Sequence, residues 1–328
     1  MDNTENYAIR SAVINKAINY IFDHIDEEIT VDDVAHYCSY SRYHLTRMFK
    51  EETDEALYQF IKRIRLERSA WCLKVEKEKS ITEIGEKYGY SSSNFATAIK
   101  KHLNLSPGDF RKTSEQMVEA SSFSHGVTLD ALDDAGKLIT IENLDSFTVI
   151  YERKKGNYHQ LPQEWCRFIE KYEYLATEET LYMECTIDDP TITDEDHCMY
   201  DLCQTVSPEQ LVLKKNEHIL LQNFQGGKYA AYHFRGFPQF LFMVYQEIFC
   251  RWLSKTGNQL DERRPIFDIY RLVGEDGYME IDICFPLKYN TRNSTLPPIF
   301  LWKFALKIQY GKSYYSTNTE VWKYVHLY

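Results

Sequence analysis

The chain has 328 residues, enough for two domains of ordinary size, and 44% of them are apolar, so a packed core can form. A net charge of −11 excludes a protein coated in basic residues to hold nucleic acid over its whole surface. The eight cysteines form no C-x-x-C pair, the histidines show no ligand spacing and no run of 18 apolar residues occurs, which argues against a metal centre, a bound cofactor and a membrane span.

The acidity is uneven. Residues 1–113 carry a net charge of −1 and the rest of the chain −10, and the aromatic residues thicken after residue 145. An acidic, aromatic-rich body suits a cationic or amphipathic small ligand, although the same acidity also keeps a protein soluble. The opening MDNTENYAIR holds no apolar signal segment, and unpaired thiols suit a reducing cytoplasm, where the protein is expected to work.

In chain order, residues 8–24 place Ala8, Val13, Ile14, Ala17, Ile18 and Ile21 near helical spacing. The segment 29–53 then reads as a helix-turn-helix. Thr30 and Asp33 can cap the first helix, and Ala35 and Ser39 are small where two helices cross. Ser41 caps the second helix, whose Leu45, Met48 and Phe49 face inward. Arg42, Tyr43, His44, Thr46, Arg47 and Lys50 remain outside. A long helix over roughly 56–75 follows, with an inner stripe of Leu57, Phe60, Ile61, Ile64, Ala70 and Leu73. Lys62, Arg63, Arg65 and Arg68 are expected to form an outer basic face.

A second unit occupies 80–103, fifty residues after the first. Ser80 and Glu83 make a capping box, Gly85 and Gly89 match Ala35 and Ser39, and Ser91–Ser93 lead into a helix holding Phe95, Ala98 and Ile99. Two such units joined by a rigid helix could enter successive major grooves, which lie about 34 Å apart, without dimerisation.

Residues 114–137 are polar and weakly periodic, as in a linker. From 138 the pattern turns β-rich: two runs before residue 158, a helix at 161–175 with Trp165, Phe168 and Ile169, and strands at 181–187 and 199–206. KYAAYHFRG (228–236), the helical 239–257, FDIYRLV (267–273) and EIDICFPL (280–287) then repeat that order, with Asp282 matching Asp201 and Cys284 matching Cys203. Two strand-helix-strand-strand halves predict pseudo-twofold symmetry around a central groove. Alternation puts Glu280 and Asp282 on one face of their strand and Ile281 and Ile283 on the other. These carboxylates could bind a cation beside Tyr151, Trp165, Tyr229, Tyr232, Phe234, Trp252 and Tyr270, or could pair with Arg235 or Arg271. Residues 288–328 hold IFLWKFALKI, too short to span a bilayer. They read as an added strand or helix, or as part of a dimer contact.

The first part, through Y-S-R-Y-H-L-T-R-M-F-K-E-E-T, R-L-E-R-S-A, S-I-T-E-I-G-E-K-Y-G-Y-S-S and N-L-S-P-G-D-F-R-K, resembles the AraC/XylS family of bacterial regulators. By that resemblance Arg42, Tyr43, Thr46 and Arg47 meet base edges or phosphates in the first groove. Arg47 is the guanine candidate, because its planar fork matches O6 and N7. The second unit departs from the family pattern. It is read as one residue shorter before Asn94, with Thr97 where an arginine is usual and Ile99 where a phenylalanine is usual. Ser92, Ser93, Asn94, Thr97 and Lys100 are left to read the second groove more weakly.

Residues 138–287 resemble the gyrase-inhibitor-like (GyrI-like) effector-binding domain, through the duplicated pattern and G-E-D-G-Y-M-E-I-D-I-C-F-P-L. That resemblance implies a cleft between the halves, lined with aromatics and floored by an acid. The fold expected is therefore α+β multidomain: an all-α tandem helix-turn-helix domain over 1–113 and an α+β domain over 138–287. The expected function is a ligand-modulated, sequence-specific transcription regulator rather than an enzyme. Its partners would be double-stranded DNA and a small-molecule effector, with RNA polymerase a third possibility, and it would act as monomer or homodimer. The alternatives are a C-terminal hydrolase with Glu280 or Asp282 as general base, or a protein-interaction module.

Overall fold

The computed structural model describes residues 3–114, 138–156, 158–212, 219–274 and 276–289. The linker read at 114–137 and the extension read at 288–328 lie almost wholly outside them. The chain divides into two compact units: one holds the residues up to 114 together with Thr191–Thr193 and Phe249–Ser254, and the other holds the remaining described residues.

The first unit is helical: α1 (Asn3–Asp23), α2 (Val31–Tyr37), α3 (Arg42–Thr53), α4 (Leu57–Val75), α5 (Ile81–Lys87) and α6 (Ser92–Leu103). Thr30 with Asp33, and Ser80 with Glu83, both close capping boxes that satisfy backbone N–H groups at the starts of α2 and α5. The two helix-turn-helix units repeat their crossing at a spacing of fifty, although Ser41 caps α3 through its side chain and Ser91 does not cap α6 in that way. Tyr40 N donates to Ala35 O at 3.0 Å, and Tyr90 N to Gly85 O at 2.9 Å. Ser39 (φ 62°) and Gly89 (φ 76°) make the same left-handed turn, and Asp54 and Asn104 both end their helices at left-handed φ. Small residues are needed at the crossing: a Cβ on Gly85 would stand 2.9 Å from the Phe95 ring.

Helix α4 buries the expected stripe of Leu57, Phe60, Ile61, Ile64, Ala70 and Leu73. Its expected basic outer face does not exist. Arg63 bonds Glu55 and Glu67, Arg65 donates to the carbonyls of Ile25 and Glu27, and Arg68 lies over the Phe22 ring. Lys62 alone of the four is exposed. The exposed side of α4 is limited to Tyr58, Gln59 and Lys62 near its start, and its arginines are taken up by carboxylates, loop carbonyls and the Phe22 ring.

The second unit is one eight-stranded antiparallel sheet: β1 (Ile139–Leu144), β2 (Phe147–Lys155), β3 (Tyr182–Thr186), β4 (Met199–Val206), β5 (Leu221–Phe224), β6 (Gly227–Gly236), β7 (Phe267–Val273) and β8 (Met279–Pro286). Their order is β1-β6-β8-β7-β3-β4-β2-β5, symmetric about the β7/β3 junction. Helix α7 (Leu161–Tyr172) follows β2. Its counterpart α8 (Leu241–Gln246) follows β6 and runs into a wider π turn, Glu247–Trp252. The duplication is real: β1 and β2 are the two runs read before residue 158, and β5 gives the second half a first strand that the sequence reading did not assign. These first strands are exchanged, β1 pairing with β6 of the other half and β5 with β2. Only two residues separate β1 from β2, yet the strands lie near opposite ends of the order. The sheet must curl until its ends meet where 144–147 crosses 224–227. Gly226 permits that crossing, since a Cβ there would stand 2.4 Å from the Leu144 carbonyl oxygen.

Candidate DNA-reading face and buried carboxyl pair

Leu45, Met48 and Phe49 turn one side of α3 into the core, which forces the remaining positions outward. Arg42, Tyr43, Arg47 and Lys50 are exposed and Thr46 is half-buried; on α6 Ser92, Ser93, Asn94, Thr97 and Lys100 are all exposed. Tyr43 presents 78% of its surface to solvent, which an aromatic ring does only where no core claims it. The fifty-residue register sets Arg47 against Thr97, Arg42 against Ser92 and Lys50 against Lys100. Arg42 rests 2.9 Å from Asp32, and Arg47 3.8 Å from Glu51; both are exposed pairs that bind loosely and exchange readily. Thr97 turns its hydroxyl back to donate to Ser93 O at 2.9 Å. Within the helical unit, a recess of 430 Å³ opens between the two helix-turn-helix repeats, lined by Thr30, Asp32, Arg42, Lys62, Arg65 and Tyr90 among others.

In the sheet, register decides which side chains share a face. Glu152, Leu202, Glu184, Asp268, Ile283 and Tyr232 form one row across six strands. Both helices pack on this face: the Trp165 ring of α7 stands edge-on to Tyr182 and Tyr270, and the Tyr245 hydroxyl of α8 donates to Asp268. The opposite face carries Tyr151, Cys203, Met183, Ile269, Asp282 and His233.

The ligand candidates taken from the sequence are thus divided between two faces. Trp165, Tyr232, Phe234 and Tyr270 lie on the helix side, and Tyr151 and Tyr229 on the other, within a cluster that includes Val149, Met183 and Phe267. Trp165, Tyr151, Tyr229, Tyr232 and Phe234 are all buried. Trp252 is half-buried in the π turn. Glu280 and Asp282 share a face, as alternation requires, and it is the face away from Trp165 and Tyr270. There they are paired: Asp282 accepts from His233 and Arg271 at 2.7 Å each, and Glu280 lies 3.7 Å from Arg235. In the other half, the matching Asp201 holds the buried Arg153 through two bonds of 2.8 and 2.7 Å. Burial opposes the Arg153 charge, and Asp201 more than restores it, raising its pKa.

Two carboxyls that sequence patterning did not single out occupy the helix face. Glu184 and Asp268 are each 5% exposed and directly paired across β3 and β7, at the pseudo-twofold axis. Burial, then the neighbouring Asp268 charge, pushes Glu184 up to about 8, although Tyr270 donates to it at 2.9 Å. Burial pushes Asp268 up to about 7, against the bond from Tyr245. Among the described residues, Asp268 Oδ1 has no hydrogen-bond partner, nor does either end of the fully buried Gln204 amide, which shares this face on β4. Tyr158 stacks on Tyr200 nearby, and the phenols of Tyr158, Tyr245 and Tyr270 are all held well above their ordinary pKa, by burial first. The signal was present in the sequence: each half places one acid among mostly apolar and aromatic neighbours in the strand that follows its helix, in YMECTI and in FDIYRL.

Among known proteins, a helix-turn-helix domain model matches residues 34–113, and a GyrI-like small molecule binding domain model matches residues 138–288. The chain is 32% identical over 107 residues to transcriptional regulator Rob of Salmonella typhimurium, covering 32% of this chain and 37% of that protein. It is 34% identical to the probable transcription factor PqrA of Proteus vulgaris, covering 30% of this chain and 84% of that one. The solved EcmrR C-terminal domain is 15% identical, covering 46% of this chain and 98% of that one, with a TM-score of 0.38. Among the described residues no helix is long and apolar enough to cross a membrane.

Proposed function

This chain belongs to the AraC/XylS family of transcription regulators and carries a GyrI-like small-molecule-binding domain; from that premise we propose that it is a cytoplasmic, sequence-specific regulator whose DNA reading responds to a cationic, amphipathic ligand. For DNA reading the supporting observation is the exposed set Arg42, Tyr43, Arg47 and Lys50 on a capped helix whose other side is fixed in a core. Arg47 reads guanine, with Tyr43 and Thr46 beside it, and Arg42 and Lys50 hold phosphate. Ser92, Ser93, Asn94, Thr97 and Lys100 meet the next major groove. The 19 residues of α4 span about 28 Å, of the order of the groove repeat, so a single chain suffices.

The observation that carries ligand sensing is the Glu184–Asp268 pair: two buried carboxyls that, among the described residues, leave one oxygen unsatisfied and have no cation as partner, with Tyr245 and Tyr270 bonded to them. A delocalised cation would meet charge from below and π faces from Trp165, Tyr245 and Tyr270. Tyr245 and Tyr270 are only half-buried, which gives a route inward. The carboxyls serve binding, and the chain is read as a regulator rather than an enzyme.

Footprinting tests the DNA arm: protection of about 15–20 base pairs over two successive grooves is expected, and protection of a single groove would remove the second unit from the reader. Thermal shift against lipophilic cations tests the sensor: stabilisation is expected in the native protein and lost in Glu184→Gln, whereas equal stabilisation in that variant would move the ligand elsewhere.

A further inference from the structure

The proposed cation site has a feature that cation binding alone does not require. Its two carboxyls are direct cross-strand partners on one face, both buried, at the centre of a symmetric sheet. Side chains so placed have Cβ atoms about 5 Å apart. Two carboxylates at that separation in an apolar site cannot both stay ionised without a counter-charge.

Among the described residues, the groups that face them supply none. From β7 comes Tyr270, from α8 Tyr245, from β4 Tyr200, and from the turn before α7 Tyr158; Glu164 of α7 bears on Tyr200. Lys154, the cation sharing this face on β2, is held by Glu152 at 2.9 Å and Glu164 at 2.8 Å. His233, Arg271 and Arg153 belong to the opposite face, where Asp282 and Asp201 engage them.

Resting on the reading that a cation binds here, we propose that Glu184 and Asp268 act as one proton-exchanging pair, so that uptake of a singly charged cation expels one proton to solvent and ligand sensing is coupled to pH. The bookkeeping closes. In the empty site both carboxyls carry protons; the cation replaces one, leaving one carboxylate against it and one carboxyl able to donate a hydrogen bond. Burial, which holds both carboxyls in their neutral form, works in the same direction. The phenols of Tyr245 and Tyr270, donating to Asp268 and Glu184, can stay bonded in either state.

Calorimetric titration of the full-length protein with tetraphenylphosphonium, whose charge involves no proton of its own, in two buffers of unequal ionisation enthalpy reads the protons released per ligand. About one proton is expected, with affinity rising close to tenfold per pH unit between about pH 5 and 6.5. Asp268→Asn keeps the shape, relieves Glu184 of its like-charged neighbour and should move that dependence to lower pH. Binding that releases no proton and ignores pH overturns the coupling and leaves the cation site standing. No binding at any pH overturns both.

Discussion

Both units of this protein are duplications, and they put their copies to opposite use. In the helical unit α4 keeps the copies apart, so each presents its own outer face and the two can diverge: Arg47 in one answers Thr97 in the other. In the sheet unit the copies meet along one ladder, and their matching acids, Glu184 and Asp268, become immediate neighbours. Copies held apart are free to differ in strength. Copies brought into contact change one another, because the charge on one acid alters the cost of the next.

Four measurements break or sharpen that contrast. The largest effect concerns the sheet's other matched pair of acids. Asp201→Ala strands Arg153, whose side chain is 7% exposed, and should cost about 3–5 kcal/mol in denaturant unfolding. Asp282→Ala leaves the more exposed His233 and Arg271 and should cost clearly less; equal costs would mean that the two halves remain equivalent despite their divergence. Next comes the pH dependence of stability. Glu184 has a raised folded-state pKa, so between about 4.5 and about 8 the folded chain holds a proton that the unfolded chain has lost, and stability falls as pH rises through that window. The slope contributed is at most about 1.4 kcal/mol per pH unit, and Glu184→Gln should flatten it. An unchanged slope in that variant would show that the paired copies do not titrate.

In the helical unit, Arg47→Ala should weaken specific DNA binding by about 1–3 kcal/mol in fluorescence anisotropy, and Thr97→Ala by much less. Equal losses would erase the proposed asymmetry between the grooves. The smallest effect is on the turns. Ser39 occupies the left-handed conformation that Gly89 holds in the second copy, so Ser39→Gly should stabilise the protein by about 1 kcal/mol in thermal unfolding. A loss instead would mean that the Ser39 side chain matters more than its backbone.

The two regions also differed in how much of them could be read from the chain. The helix boundaries, both capping boxes and the inward stripe of α4 follow from local rules: a cap bonds within three residues, and a helix face repeats within four. That Arg63, Arg65 and Arg68 are spent on Glu55, Glu67, the loop carbonyls and Phe22 was not legible, because some of those partners lie 38 to 46 residues away. In the sheet, alternation correctly paired Glu280 with Asp282 on one face. It could not say which face the helices cover, since a period of two is blind to what packs on either side.

By itself, then, the sequence determined the tandem helix-turn-helix, its exposed polar face and the existence of two matching sheet halves, all of which are written in spacings of a few residues or in direct repetition. Tertiary structure alone decided that the halves exchange their edge strands, that Asp201 and Asp282 are taken up by ion pairs, and that Glu184 and Asp268 stand face to face with no cation beside them among the described residues. Those outcomes depend on strand order and register between segments some 80 residues apart, and no local periodicity encodes which strand becomes whose neighbour.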